Sequence, residues 1–189
     1  MPPHLTGCGT FFDMRVQVFI DGFNLYHSIM SDPQLRHCRW LSFHSLAQSI
    51  LSSRETLSGI YFFTAFYPGD PSKRRRHQTL IDAQALYGVE TVLGAFRRKD
   101  KHCPNCKQSR PGYEEKETDV NIALWLLRNA YEDRYDKAVI VSNDSDLIPA
   151  IKMLREVAPL KRVMVVFPPG NASNSLKEAV GTGNYMRLN

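Results

Sequence analysis

No stretch of this chain approaches the about 18 consecutive apolar residues that a membrane span requires, so nothing in it is expected to cross a bilayer. The first residues, MPPHLTGCGTFFD, lack both the basic start and the continuous apolar stretch of a secretory signal, and a cytoplasmic location is the expectation. Cysteine is sparse. Only four occur among 189 residues, and in a reducing compartment they are thiols or metal ligands rather than disulfides. Internal repeats, low-complexity tracts and any second block of distinct composition are also missing, which leaves one ordinary domain as the default. What is present suits that size: 43% apolar residues build a full core, and 23% charged residues clothe a soluble globule. Lys and Arg number 24 against 19 Asp and Glu, and this net +5 modestly favours a polyanionic partner.

Apolar runs alternate with helical patterns along the chain. Strands are expected at VQVFI (16–20), GIYFFTAFY (59–67), VETVLGAF (89–96), KAVIVS (137–142) and KRVMVVF (161–167). Helices are expected at 25–30, 42–53, 72–88, 119–131 and 146–157; Val120, Ala123, Leu124, Leu127 and Ala130 give the fourth of these the stripe of a helix packed on a sheet. The strands are continuous rather than alternating in polarity, which indicates burial on both faces. Five such alternations predict an α/β fold, a three-layer α/β/α sandwich around a mainly parallel five-stranded sheet. Residues 1–13 read as a flexible extension, with Met14 a candidate alternative start, and 14–189 as one domain carrying a cysteine-containing insert at about 97–116. The tail from Asn174 is a candidate last helix and edge segment.

In an open parallel sheet, ligands bind beyond the carboxyl ends of the strands, where strand order reverses. The first strand ends in Asp21-Gly22-Phe23-Asn24 and the fourth in Ser142-Asn143-Asp144-Ser145-Asp146; the acidic loop Glu114 to Asp119 opens a helix on the same rim. Each acid has a plain structural explanation as a helix cap or dipole partner. Together they would repel one another unless a cation neutralised them, and hard oxygen ligands without a matching histidine set suit Mg2+ or Mn2+. Asp146 is a further candidate ligand, direct or through water, Asn24 a donor and acceptor for phosphate, and Glu117 a candidate supporting group. Lys73, Arg74, Arg75 and Arg76 follow the second strand, Arg97, Arg98 and Lys99 the third, and Lys116 lies in the acidic loop. Such runs are ordinary on solvated faces, but beside an acidic metal centre they suit the binding of a phosphodiester polyanion. Tyr67, Tyr26 and Phe23 are candidates for stacking on unpaired bases. His102, Cys103 and Cys106 have the spacing of half a zinc site, with a tight reduced hairpin as the alternative.

Three spaced motifs, D-G-x-N at 21–24, E-K-x-T-D-V-N-I-A-L at 115–124 and S-N-D-S-D-L at 142–147, resemble those of the NYN domain family of PIN-like ribonucleases over most of the chain, about 16–167. The resemblance implies a PIN-like sheet in the order 3-2-1-4-5 and divalent-metal-dependent cleavage of RNA. By position, the family's acidic cluster falls on Asp21, Asp119, Asp144 and Asp146, with Asn24 beside it. Asn143 stands where glycine is commoner in the family, a departure that bears on loop geometry rather than on ligation. A cysteine-bearing insert before the central acid also occurs in relatives of this kind. The expected chemistry is in-line hydrolysis of an RNA phosphodiester with the metal held by Asp21, Asp119 and Asp144. Two alternatives stand beside it: a non-catalytic RNA-binding module of the same fold, and a phosphatase using Asp21, which would usually want a second aspartate where Phe23 stands.

Overall fold

The computed structural model describes residues 13–102, 105–106, 108–110 and 112–188. The expected extension therefore lies, apart from Asp13, outside the described residues, and so does Cys103. The first strand, β1 (Met14–Asp21), is buried without interruption from Val16 onwards, as its unbroken apolar run requires. Asp21 then caps α1 (Gly22–Ser31) by accepting a hydrogen bond from the Asn24 backbone N–H at 3.0 Å. A 3-10 turn (Arg36–Trp40) and α2 (Phe43–Ile50) lead to β2 (Glu55–Thr64), α3 (Pro71–Ala85) and β3 (Val89–Leu93). The insert follows as β4 (Ala95–Arg98), β5 (Lys101–His102), β6 (Ser109–Arg110) and β7 (Tyr113–Lys116). The second half runs α4 (Thr118–Tyr131), β8 (Lys137–Val141), a 3-10 turn (Ser145–Leu147), α5 (Ile148–Val157), β9 (Arg162–Phe167), α6 (Asn174–Val180) and β10 (Tyr185–Arg187).

The main sheet has six strands in the order β10-β9-β8-β1-β2-β3, every neighbour parallel. The expected order is present, but the count of five is corrected to six. The sixth is β10, the edge segment expected in the tail after α6, three residues without an apolar run that pair Tyr185 with Val165 and are followed by the Leu188 N–H to Phe167 carbonyl bond at 2.9 Å. The third expected strand is also divided. Gly94 turns the chain out of the sheet into the antiparallel pair β4 and β7, and a Cβ there would sit 2.8 Å from the Lys116 carbonyl oxygen.

Successive residues of β1 feed opposite faces of the sheet. Phe19 joins Phe63, Ile140 and Tyr135 in a core closed by Ile122 and Leu126 of α4, Ile151 and Leu154 of α5, and Leu176 of α6. Val18 and Ile20 join Phe62 and Val139 in the other core, closed by Leu25 and Ile29 of α1 and Leu46 of α2. Helices thus cover both faces. The chain builds outward from β1 through β2 to β3, then returns to the other side of β1 with β8, so the strand order reverses between β1 and β8.

Candidate metal centre at the carboxyl edge of the sheet

At that reversal the neighbouring ends of β1 and β8 present Asp21 and the segment from Ser142 to Asp146. Parallel register sets Ile20 opposite Val141, so the next residues, Asp21 and Ser142, lie side by side. The Ser142 hydroxyl donates to Asp21 Oδ2 at 2.8 Å and accepts from the Asp144 N–H at 3.0 Å. One buried hydroxyl therefore ties two acidic segments together. Asp119 arrives from a third direction, in the first turn of α4. Glu117 precedes that helix in the left-handed region at φ 79°, which turns the chain sharply into it.

Asp21, Asp119 and Asp144 each place a carboxylate oxygen within 4.8 Å of the others. Asp21 is buried and the other two are half-buried. None of the described ion pairs involves these three residues; Asp21 and Asp144 accept hydrogen bonds, and no described hydrogen bond reaches the Asp119 carboxylate. The consequence is electrostatic. Burial, followed by the charges of Asp144, Asp21, Glu115 and Asp146, pushes Asp119 up to about 6. Burial also raises Asp21, against the opposing hydrogen bonds from Asn24 and Ser142. Three converging, uncompensated carboxylates are a donor set that fits a small hard divalent cation, which takes oxygen ligands and keeps several waters.

The acids line a cleft of about 520 Å³ with Asn24, His27, Glu115, Thr118 and the loop from Pro169 to Asn171. Asn24 Oδ1 accepts from the Asn143 N–H at 2.9 Å, and no described hydrogen bond uses its Nδ2, which is left as a donor in the cleft. Asn143 in turn accepts from the Ser173 N–H at 2.6 Å, linking the strand-end loop to the cap of α6. Asp146 is exposed and stands outside the convergent three; its backbone N–H donates to Asp144 Oδ1 at 2.9 Å, and its charge still reaches Asp119. Glu117 turns away to Arg97 at 3.5 Å. Glu115 takes the place next to the acids, accepting from the Thr118 N–H and hydroxyl. Sequence reasoning missed Glu115 and Ser142; alternation along β7 separates Glu115 from Glu114 but not from Glu117, which only the left-handed turn at Glu117 directs elsewhere.

The basic residues divide into two groups. Lys73, Arg74, Arg75 and Arg76 are exposed on the first turns of α3, with Lys73 over the Tyr67 ring at 5.6 Å and Arg74 over Phe66 at 5.1 Å. Arg98, Lys99 and Lys116 instead pair with acids of the insert, Asp100 at 3.3 Å and Glu114 at 2.9 and 3.3 Å. Cys106 is a free, exposed cysteine; the zinc expectation otherwise falls on Cys103, outside the described residues, and on the His102 side chain, which is not described either.

A solved protein of unknown function from Vibrio parahaemolyticus shares this fold, with a TM-score of 0.61 at 18% identity over 94% of each chain. Among curated proteins, the 6-hydroxy-3-succinoylpyridine 3-monooxygenase HspA of Pseudomonas putida (strain DSM 28022 / S16) is 25% identical over 197 aligned positions. That alignment takes in 86% of this chain but only 62% of the relative's length. The description "NYN domain" matches residues 15–183, from β1 to the end of α6 and the turn beyond it, and the chain belongs to the NYN domain family.

Proposed function

We propose that this protein is a divalent-metal-dependent ribonuclease that hydrolyses RNA phosphodiester bonds at the cleft holding Asp21, Asp119 and Asp144. The observation that carries this reading is the convergence of three uncompensated carboxylates, delivered by three separate segments, at a reversal of strand order in an NYN fold. Mg2+ or Mn2+ bound there would supply Lewis acidity toward the phosphate and a nucleophile generated from water. The chain's own residues do the rest. Ser142 and the Asn24 N–H fix Asp21, Asp119, raised to about 6, is ionised at neutral pH and offers its carboxylate to the cation, and Asn24 Nδ2 donates to a non-bridging phosphate oxygen. Lys73, Arg74, Arg75 and Arg76 attract the polyanion, with Arg97, Arg98, Lys99 and Lys116 as the second flank.

The test is cleavage of single-stranded RNA, structured RNA, DNA and a small phosphate ester, each with Mn2+, Mg2+ or chelator. RNA should be cut only with a divalent ion, and Asp21→Asn or Asp144→Asn should lose cleavage while keeping RNA binding. RNA binding without turnover in the native protein would make it a docking module. Hydrolysis of the ester alone would favour a phosphatase. A second reading, oxidation of a small heteroaromatic acid, takes support from the name of the Pseudomonas relative and from an aromatic-lined cavity beside the acids. Oxygen uptake with 6-hydroxy-3-succinoylpyridine and a reductant tests it.

A further inference from the structure

A second cavity, of about 470 Å³, lies between α1, the 3-10 turn at Arg36–Trp40 and α3. Its volume is in the range of about 300–1,000 Å³ typical of small-molecule sites. Phe23 lines both this cavity and the acidic cleft, so the two adjoin at that residue. Three aromatic side chains on its walls remain open to solvent: Tyr26 at 49%, Trp40 at 48% and Tyr67 at 37% exposure. Tyr67 meets Phe96 and Tyr113 edge-on and carries Lys73 over its ring, while core packing does not account for the openness of Tyr26 and Trp40. Arg39, Lys73 and Arg76 also line the cavity and are exposed, so its surroundings favour an anion while its walls favour a flat ring. Its polar floor is the buried Thr64 hydroxyl, 3.1 Å from His77 Nε2. Burial lowers the His77 pKa, which keeps the imidazole neutral and available to a neutral hydrogen-bonding edge.

We infer that this cavity receives one unstacked base of an RNA strand whose adjoining phosphate lies in the acidic cleft, with Tyr26, Trp40 and Tyr67 as stacking faces and Arg39, Lys73 and Arg76 on the backbone. The inference rests on the ribonuclease reading for its substrate. Aromatic faces beside cations are the usual arrangement for holding unpaired bases, because every base offers a π-face whatever its sequence. A base seated there is turned out of its stack, so the cavity favours single-stranded RNA over continuous duplex.

The test uses the full chain in an Asp144→Asn, Trp125→Phe background, which prevents turnover and leaves Trp40 as the single tryptophan of the two in the sequence. The shortest oligouridylate that binds, in which sliding would forfeit backbone contacts, is compared with the same oligonucleotide carrying one abasic ribose, moved position by position. The intact RNA should quench Trp40 fluorescence, and at one position the abasic ribose should weaken binding about ten-fold. Tyr67→Ala should weaken the intact RNA similarly yet add little to the abasic one, since both remove the same stack. Equal affinity at every abasic position, or RNA binding with Trp40 unquenched, overturns the inference. The abasic series needs no change in the cavity, so an unfolded variant does not blunt it. Cleavage by the native chain separates the two readings: RNA cut with Trp40 silent removes the cavity and leaves the nuclease, whereas quenching and an abasic effect without cleavage under any metal do the reverse. Quenching by free nicotinate but not by RNA would make the cavity a small-acid site and end the inference.

Discussion

Replacing Asp119 by asparagine should stabilise the metal-free protein and destabilise the metal-loaded one relative to native. Its carboxyl group is raised from 3.8 to about 6, first by burial and then by Asp144, Asp21, Glu115 and Asp146. About two units at ~1.36 kcal/mol each set a ceiling of ~3 kcal/mol on the cost of ionising Asp119 in the folded state. The side chain is half-buried, and screening by solvent reduces this to ~1–2 kcal/mol. An acid with a raised folded-state pKa binds protons more tightly in the native than in the unfolded chain. The cost is therefore absent below pH 3.8, grows between 3.8 and about 6, and is fully present above 6. In chelator at neutral pH, Asp119→Asn should melt higher by roughly 2–8 °C, from ~2–4 °C per kcal/mol in a chain of this size. Near pH 4 that advantage should vanish.

The sign reverses with the cation. A ligand at about 100 times its Kd stabilises the native protein by ~2.7 kcal/mol. Native protein should therefore gain in Mn2+, the variant should lose most of that gain, and the native gain should fade as pH falls through about 6. Thermal melts in chelator and in Mn2+, at both pH values, read every arm. A variant less stable than native in chelator at neutral pH, or one that keeps the full Mn2+ gain, refutes the account of the site.

Ser142→Ala removes the hydroxyl that joins Asp21 Oδ2 to the Asp144 N–H, and cleavage with Mn2+ should fall about 10–100-fold, as for other groups that orient ligands; unchanged cleavage would show that the acids hold their places without it. Gly22→Ala would put a Cβ 2.5 Å from Phe62 Cε2 and 2.6 Å from the Phe63 carbonyl oxygen. The backbone atom cannot yield, so a loss of ~1–3 kcal/mol in a denaturant titration is expected, and a native midpoint would contradict the packing. Truncating Lys73, Arg74, Arg75 and Arg76 singly should lower the slope of log affinity for single-stranded RNA against log salt by about 0.7 for each phosphate no longer neutralised. A constant slope through the series would place the polyanion elsewhere.

The parts of the fold visible in the sequence are those where burial on two faces leaves no polar alternative. VQVFI and KAVIVS could only be central strands, and they fix where Asp21 and Ser142 emerge. The parts that stayed hidden depend on interactions between distant segments. The tail was legible as an edge segment, but not its place in the main sheet, because β10 has no apolar run and joins by pairing with β9 and setting Met186 against the core. Gly94 ends a strand because the Lys116 carbonyl and Thr118 lie against it, and neither is near it in sequence. Glu115 rather than Glu117 lies beside the acids because β7 pairs with β4 in a register that no local pattern states. The insert's acids claim Arg98, Lys99 and Lys116, so a run of positive charge read as a substrate surface is partly neutralised at home.

The capping and metal-ligating readings of the acids are compatible here, because a carboxylate has more acceptor sites than a cap consumes. Asp21 caps α1 through Oδ1 and receives Ser142 at Oδ2; Asp144 caps its 3-10 turn through Oδ1. Each bond fixes a rotamer and leaves lone pairs directed at the cleft. A carboxylate held only by a cation would lose its place when the cation left, and the repulsion that lifts Asp119 would drive the group apart. On the metal-free chain these bonds hold Asp21 and Asp144 within 4.8 Å of Asp119, which the first turn of α4 delivers, so a cation would meet a formed site. The cost of that order is the raised pKa of Asp119. Relief of that cost is part of what would make the cation bind.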